Sequence, residues 1–257
     1  VRWKDTVSLG GKPVWWISKK VYVKAADLLR HYPDKFKGIN LRKKGWQLPV
    51  CIVRAATRGA PIFAKPSETK PITRVSDHSK WRILDKTRTG KTKFYRIKPG
   101  WIPARRVISA WPSKPPPGLK ECEKWMELVI AHQSLVAYEG NEPVYMTMVS
   151  SGDKQHPTKY GIFRIWWKKA HTDMSSSMGA GDEFYRVDDV AWAIFFWRGM
   201  ALHAAHWHDE FGTRRSHGCV NLAPKDAKWF YDWTEPNVPK AWLDRRANER
   251  FPGTLIR

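Results

Sequence analysis

Ser216-His217-Gly218-Cys219-Val220-Asn221, read together with Leu202-His203-Ala204-Ala205 upstream, carries the strongest chemical signal in this chain. A thiol attacks as its thiolate and needs an imidazole nearby, so Cys219 is read as a nucleophile and His203 as its base. Gly218 lets the backbone turn tightly before the cysteine, and the amides that follow can then point at a developing oxyanion. His217 stands beside the nucleophile, either to stabilise it and donate into the site or to fix the loop. Ser216 and Asn221 read as loop-bracing residues at the edge of the substrate site. Arg214 or Arg215 is a candidate to meet an anionic group of a substrate.

The six-residue run resembles the S/T-H-G-C-x-N signature of the YkuD-type L,D-transpeptidases, cysteine enzymes that cross-link bacterial peptidoglycan. The resemblance extends over about residues 119–235. Trp125 to Ile130 and Gln133 to Gly140 look like that domain's opening hairpin, and Val149-Ser150-Ser151-Gly152 with Pro157-Thr158 and Gly161 to Ile165 looks like its second landmark. The chain departs from the usual T-P-x-G at Thr158-Lys159-Tyr160-Gly161. The resemblance implies a mainly β fold, a YkuD-like β-sandwich or barrel-type catalytic domain with a short helix after the cysteine motif. It implies a backbone carbonyl, that of Ala204, orienting His203, since no Asp or Glu adjoins it in sequence. It implies attack by Cys219 on the third residue of a stem tetrapeptide, loss of D-Ala, and resolution of the thioester by an amine to give a 3→3 cross-link. Water as acceptor makes the same site an L,D-carboxypeptidase, and a free D-amino acid or a lipoprotein lysine gives exchange or anchoring. Acylation by carbapenems and a need for no cofactor are implied in the same way. Peptidoglycan stem peptides are the implied partners, and the bacterial cell envelope, the periplasm in particular, is the implied location.

With 257 residues the chain has room for two domains or three small ones. It opens on Val1, which fits a mature or trimmed form of an exported protein. No apolar run approaches the roughly 18 residues of a membrane span. Its 46 basic and 24 acidic residues leave a net charge of +22, a field that favours polyanions. The basic residues fall in scattered pairs such as Lys43-Lys44, Arg105-Arg106 and Arg214-Arg215, with no nucleic-acid motif beside them. That argues against nucleic acid as partner and leaves an anionic envelope polymer or a merely solvated surface. Three cysteines, Cys51, Cys122 and Cys219, leave at least one unpaired. A Cys51–Cys122 bridge spares the nucleophile, yet both sit in apolar, strand-like runs where small free thiols are common.

Ala110-Trp111-Pro112-Ser113-Lys114-Pro115-Pro116-Pro117-Gly118 is the clearest boundary, because consecutive prolines favour a stiff extended linker over 111–118. The linker implies that 119–257, the catalytic domain, folds without the rest. Before it, short strands and turn residues over 50–110 resemble a small bacterial SH3-like β-barrel that ends in Gly100-Trp101-Ile102, a module for wall binding or for stability alone. Residues 1–49 read as a β-rich partial copy: Trp15-Trp16-Ile17 leading into Val21 to Leu28 matches Phe94-Tyr95-Arg96 leading into Gly100 to Val107. In the second part, 125–149 and 161–167 alternate as antiparallel strands. His171 to Asp182 is polar and glycine-containing and reads as a loop; the resemblance implies that an insertion here or nearby can lid the cleft, and the alternative is an inert surface loop. Val190 to Ala201 reads as a buried hairpin feeding the His203 strand. Pro224 to Trp233 reads as a helix with proline in its first turn, its positive end a candidate to hold a thiolate or oxyanion.

His203-x-x-His206-x-His208-Asp209 keeps a zinc-dependent hydrolase as a rival. On a strand, however, His203 and His206 point to opposite faces, and no clear third ligand accompanies His206 and His208. A catalytically inactive wall-binding protein is the third class. Trp166-Trp167, Trp192, Phe195-Phe196-Trp197 and Trp207 read mostly as core, with one or two left to line a donor groove. Trp207 is the nearest of these to the motif.

Overall fold

The computed structural model describes residues 5–9, 12–18, 21–24, 35–55, 58–175 and 186–257. Three strands open the chain: β1 (Asp5–Leu9), β2 (Lys12–Ser18) and β3 (Val21–Lys24) form one antiparallel sheet. β4 (Ile39–Asn40) follows, and then a small all-β unit. That unit comprises β5 (Val50–Val53), β6 (Ala60–Ile62), β7 (Thr73–Val75), β8 (Lys80–Arg82), β9 (Asp85–Thr89), β10 (Thr92–Ile97), β11 (Gly100–Pro103) and β12 (Val107–Ala110). Its strands pair as β11-β10-β9, β12-β5-β8 and β6-β7.

The remainder holds β13 (Lys124–Val129), β14 (Ser134–Glu139), β15 (Glu142–Met148), β16 (Phe163–Arg164), β17 (Trp167–Ser175), β18 (Arg186–Trp197), β19 (Met200–Ala204) and β20 (Val220–Leu222). The helix α1 (Pro224–Trp233), β21 (Asp244–Arg246) and β22 (Leu255–Ile256) complete it. The fold is mainly β, as the sequence implies, with one α-helix among the described residues. That helix spans the predicted 224–233 and carries its proline at the start. Six strands align as β16-β22-β13-β14-β15-β4 and five as β20-β19-β18-β17-β21.

Period-two alternation sets the layers. Leu135 and Ala137 of β14 pack with Met126 against Ile194, Phe196, Leu202, Val220 and Leu222 of the five-stranded sheet, closed at one end by Phe230 of α1. Val136 and Tyr138 point the other way, into a second cluster with Trp125, Met146 and Met148. That second face is covered by Phe36, Ile39, Leu41, Val50, Ile52, Ile108 and Ala110. β5 is buried along its whole length for the same reason. Val50 and Ile52 face the six-stranded sheet, while Cys51 and Val53 join Ile62, Ile97 and Ile102 in the core of the small unit. The two parts of the chain thus share a wall, although the prolines between them read as a free linker.

Segment 35–41, which the sequence groups with the N-terminal part, belongs to that wall. Ile39 and Asn40 extend the six-stranded sheet through Met146 and Tyr145. Gly38 approaches so closely that a Cβ there would lie 2.3 Å from the Met146 carbonyl oxygen, so only glycine fits. Its N–H donates to Asp226 Oδ1 at 2.8 Å, and the Tyr145 and Thr147 hydroxyls donate to the same carboxyl. Asp226 lies fully buried in the first turn of α1. Burial pushes its carboxyl up from the usual range, against the pull of those three donors.

The other end of α1 is closed by Lys168, which points inward from β17. Its Nζ lies 2.6 Å from the carbonyl oxygens of Tyr231 and of Thr234. A buried ammonium here complements the negative end of the helix. Burial lowers its pKa to about 7. Lys168→Met keeps the apolar stem but strips both carbonyls of a donor. The expected loss is about 2–4 kcal/mol, from the worth of charged hydrogen bonds and unsatisfied buried groups. Urea unfolding reads it, and an unchanged midpoint would show that the carbonyls find other partners.

Cys51, Cys122 and Cys219 are all free. Cys51 is buried, and burial pushes its thiol up to about 12. Cys122 departs from the apolar strand environment expected for it: it is exposed, with a positive φ, in the turn before β13. The loop expected over 171–182 is likewise shorter, since β17 runs on to Ser175 and pairs Met174 with Val187. Residues 176–182 of that expected loop, and Ala25 to Leu28 of the N-terminal repeat, lie outside the described residues. Among the described residues no helix is long and apolar enough to cross a membrane.

Candidate active site

His203 sits near the end of β19, and Cys219 immediately precedes β20. The two strands are parallel neighbours, with His203 paired in register to Asn221. The cysteine loop is stapled to residues 150–153. Ser150 and Asn221 exchange backbone hydrogen bonds at 2.9 and 2.8 Å. The Ser151 carbonyl accepts from the N–H groups of Arg215 and Ser216, and the Ser216 carbonyl accepts from the Asp153 N–H. Thr158 Oγ1 then accepts from the Gly152 N–H at 2.8 Å and donates to the Gly218 carbonyl at 2.9 Å. Thr158 is therefore a positioning residue for the loop. It stands inside a sequence landmark, but its contact with Gly218 spans 60 positions and has no local signature.

Gly218 adopts φ +110°, a conformation that favours glycine, with the Met200 side chain against it. Its N–H donates to Ser216 Oγ at 3.2 Å, and that hydroxyl donates to the Cys219 carbonyl. The Gly218 amide is thus engaged within the loop. Asn221 Nδ2 lies 3.0 Å from His208 Nε2.

Cys219 and His203 open into one cavity of about 240 Å³. Trp207, Arg215, Ser216, His217 and Asn221 share its lining, with Met174 and Val187 from the β17–β18 hairpin. Of the residues from 214 to 221 read as catalytic or substrate-binding, Gly218 and Arg214 do not line it. Arg214 is exposed, whereas Arg215 pairs with Glu210. Met174 falls in the segment read as a lid or an inert loop, whereas Val187 escapes sequence reading; strand pairing between the two carries both to the cavity. The Trp207 ring stacks near His203 at 5.8 Å between centroids, and the His156 ring lies 4.7 Å from that of His217. A second cavity, of about 410 Å³, lies along Leu128 to Ala131 and Lys159 to Phe163, apart from the cysteine.

The His203 ring is buried, and its Nδ1 lies 3.1 Å from the Ala204 carbonyl oxygen. A carbonyl only accepts, so Nδ1 carries the proton and Nε2 keeps its lone pair. Burial lowers the His203 pKa to about 4, with His208 and His206 adding to the fall and the Ala204 bond opposing it. Burial raises the Cys219 thiol, whose Sγ lies 3.9 Å from the Gly199 carbonyl oxygen. The arrangement can accept a proton at Nε2 from a neutral thiol during attack. Among the described residues no three His, Cys, Asp or Glu side chains are grouped to hold a metal ion, and His208 Nε2 is committed to Asn221.

Residues 123–252 match the family model described as the YkuD L,D-transpeptidase catalytic domain. This chain belongs to that family. Among relatives of this YkuD chain, L,D-transpeptidase 2 of Mycobacterium tuberculosis is 35% identical over 98 residues, which are 35% of this chain and 24% of that one. L,D-transpeptidase 1 of the same species is 30% identical over 112 residues, 40% of this chain and 43% of that one. The Bacillus subtilis protein YciB is 26% identical over 135 residues, 48% of this chain and 66% of that one. The chain spans less than two thirds of the length of the curated relatives it matches. A solved L,D-transpeptidase from Mycobacterium smegmatis aligns with a TM-score of 0.43 at 22% identity, over 80% of this chain and 97% of that one.

Proposed function

We propose that this protein is a peptidoglycan L,D-transpeptidase of the bacterial cell envelope, with Cys219 as nucleophile and His203 as base. The observation that carries the reading is the Nδ1 contact of His203 with the Ala204 carbonyl, which leaves Nε2 basic in the cavity that Cys219 shares. Cys219 Sγ bonds to the carbonyl carbon of the stem's third residue while its proton passes to His203 Nε2. The amide C–N bond breaks, and His203 returns the proton to the departing D-Ala amine. An acceptor amine then attacks the thioester, the C–S bond breaks, and the thiol is restored. That sequence gives a 3→3 cross-link. Water in place of the amine gives an L,D-carboxypeptidase, and a D-amino acid gives exchange.

In this reading His217 and Trp207 hold the stem across the cavity, and Arg215 meets its carboxylate. Ser216, Gly218 and Asn221 fix the loop, and Arg214 stands outside as a steering charge. Residues 50–110 serve as an SH3-like positioning module. Incubation with purified stem tetrapeptides, read by product mass, tests the reaction: cross-linked dimer with loss of one Ala is expected, and unchanged tetrapeptide would overturn it. A carbapenem should give one adduct, mapped to Cys219. Exposed Cys122 is the thiol an indiscriminate electrophile would choose, so an adduct confined to Cys122 would count against the assignment.

A further inference from the structure

The C-terminal segment 240–251 carries an apolar and basic surface that the proposed chemistry does not use. It holds four basic residues, Lys240, Arg245, Arg246 and Arg250, against Asp244 and Glu249. Asp244 is turned to the Trp167 indole N–H, which donates to its Oδ1 at 3.1 Å. Trp242 is 56% exposed and Leu243 73%, although both are apolar. Two adjacent large apolar groups exposed within a charged rim make this a candidate contact surface.

The groups are ordered relative to one another. Arg246 lies over the Trp167 ring at 4.4 Å and Lys169 over the same ring at 4.5 Å. Arg245 lies over Phe251 at 4.1 Å and donates to the Asn237 carbonyl at 2.8 Å. Backbone bonds fix the segment: Ala170 N–H to the Leu243 carbonyl at 2.7 Å, Ala247 N–H to the Trp166 carbonyl at 2.9 Å, and reciprocal bonds between Asn248 and Phe251. Cations held on aromatic faces lose little freedom on meeting an anion, and Arg presents a fork that fits a carboxylate. Arg245 pairs with Lys168 and Arg246 with Trp167, so Arg246, Trp167 and Lys169 lie on the opposite face of the sheet from Arg245.

We infer that the surface formed by Trp242, Leu243, Arg245 and Phe251 at the edge of the five-stranded sheet binds a carboxylate-bearing polysaccharide, with sugar faces on the Trp242 indole and a carboxylate on the Arg245 guanidinium. Charge complementarity on a chain of net charge +22 selects an anionic polymer. The exposed apolar side chains select one that also offers C–H faces to stack. The inference takes the polymer's identity from the proposed function, but binding is separable from turnover.

The test uses the Cys219→Ala protein with all 257 residues, so that retention reads binding alone. Purified peptidoglycan sacculi, stripped of covalently attached anionic polymers, are pelleted with it at low and at physiological salt, with a single-stranded DNA oligonucleotide as second probe. Trp242→Ala and Arg245→Gln together should lower sacculus retention at physiological salt at least fivefold, without loss of cooperative thermal unfolding. In an otherwise wild-type chain the same pair should leave turnover of a soluble stem tetrapeptide unchanged. Trp242→Phe should restore most of the retention, which mere charge attraction would not need. Unchanged retention overturns the inference. So does an equal loss of oligonucleotide and sacculus binding, which would mark a general polyanion surface. Failure of the transpeptidation reading instead appears as absent turnover with retention intact.

Discussion

Cys219→Ala is expected to abolish turnover of stem tetrapeptides, by about 10³-fold or more, while the protein keeps its fold. The side chain is half-buried and only one atom larger than that of alanine, so its loss leaves little cavity. His203→Ala is expected to cost about 10²–10⁴-fold, the usual worth of a positioned acid–base group. The pH profile separates this site from one that rests as a thiolate–imidazolium pair. The imidazole has its pKa lowered to about 4 and the thiol is raised, so the resting pair is neutral. The acidic limb of kcat/KM should therefore have its midpoint near pH 4, not near the ordinary histidine value of about 6.5. Folding stability follows the same lowering. Between about pH 6.5 and 4 the unfolded chain binds the His203 proton and the folded one does not. The contribution is therefore fully present above pH 6.5 and is lost as pH falls toward 4. Stopped assays at constant ionic strength read the limb. Wild-type turnover in Cys219→Ala would refute the nucleophile, and a midpoint near 6.5 would refute the neutral pair.

What the sequence discloses here is local. The cysteine loop and its glycine lie within six consecutive residues, and the orienting Ala204 carbonyl adjoins His203, so six letters and one upstream histidine suffice to place them. Helix α1 is legible because Pro224 marks its start. Long-range contact is not legible. Val50 to Val53 shows no alternation, because Val50 and Ile52 face one core and Cys51 and Val53 another. A strand buried on both faces loses the polar half of its pattern. The two residues of β4 carry no strand signal at all, and the sheet that claims them lies about a hundred positions away. Met174 reads as part of a polar loop, yet strand pairing with Val187 carries it to the cavity wall. Cys122 shows the converse: grouped with the apolar run that follows it, it is expected buried, but it sits among Glu121, Glu123 and Lys124 in the turn before β13 and is exposed.

The same shared wall determines what truncation should do. A chain reduced to residues 119–257 is expected to fail to fold as a monomer, despite the prolines that precede it. It would keep Trp125, Val136, Tyr138, Met146, Met148 and Phe211 but lose the seven apolar side chains that cover them, from Phe36 to Ala110. At about 1.5–3 kcal/mol for each large side chain, that loss is on the order of 10 kcal/mol. A domain's whole stability is only about 5–15 kcal/mol. Asp226 would lose the Gly38 N–H as well, leaving a buried carboxyl with fewer donors than it needs. A chain of residues 35–257 retains β4, Gly38 and the β5–β12 wall, so it should unfold cooperatively and keep its turnover. Size-exclusion chromatography and thermal melting compare the two. A monomeric 119–257 chain that melts within a few degrees of 35–257 would mean that the prolines mark a true boundary and that the apolar face of β14 and β15 finds cover within the catalytic part alone.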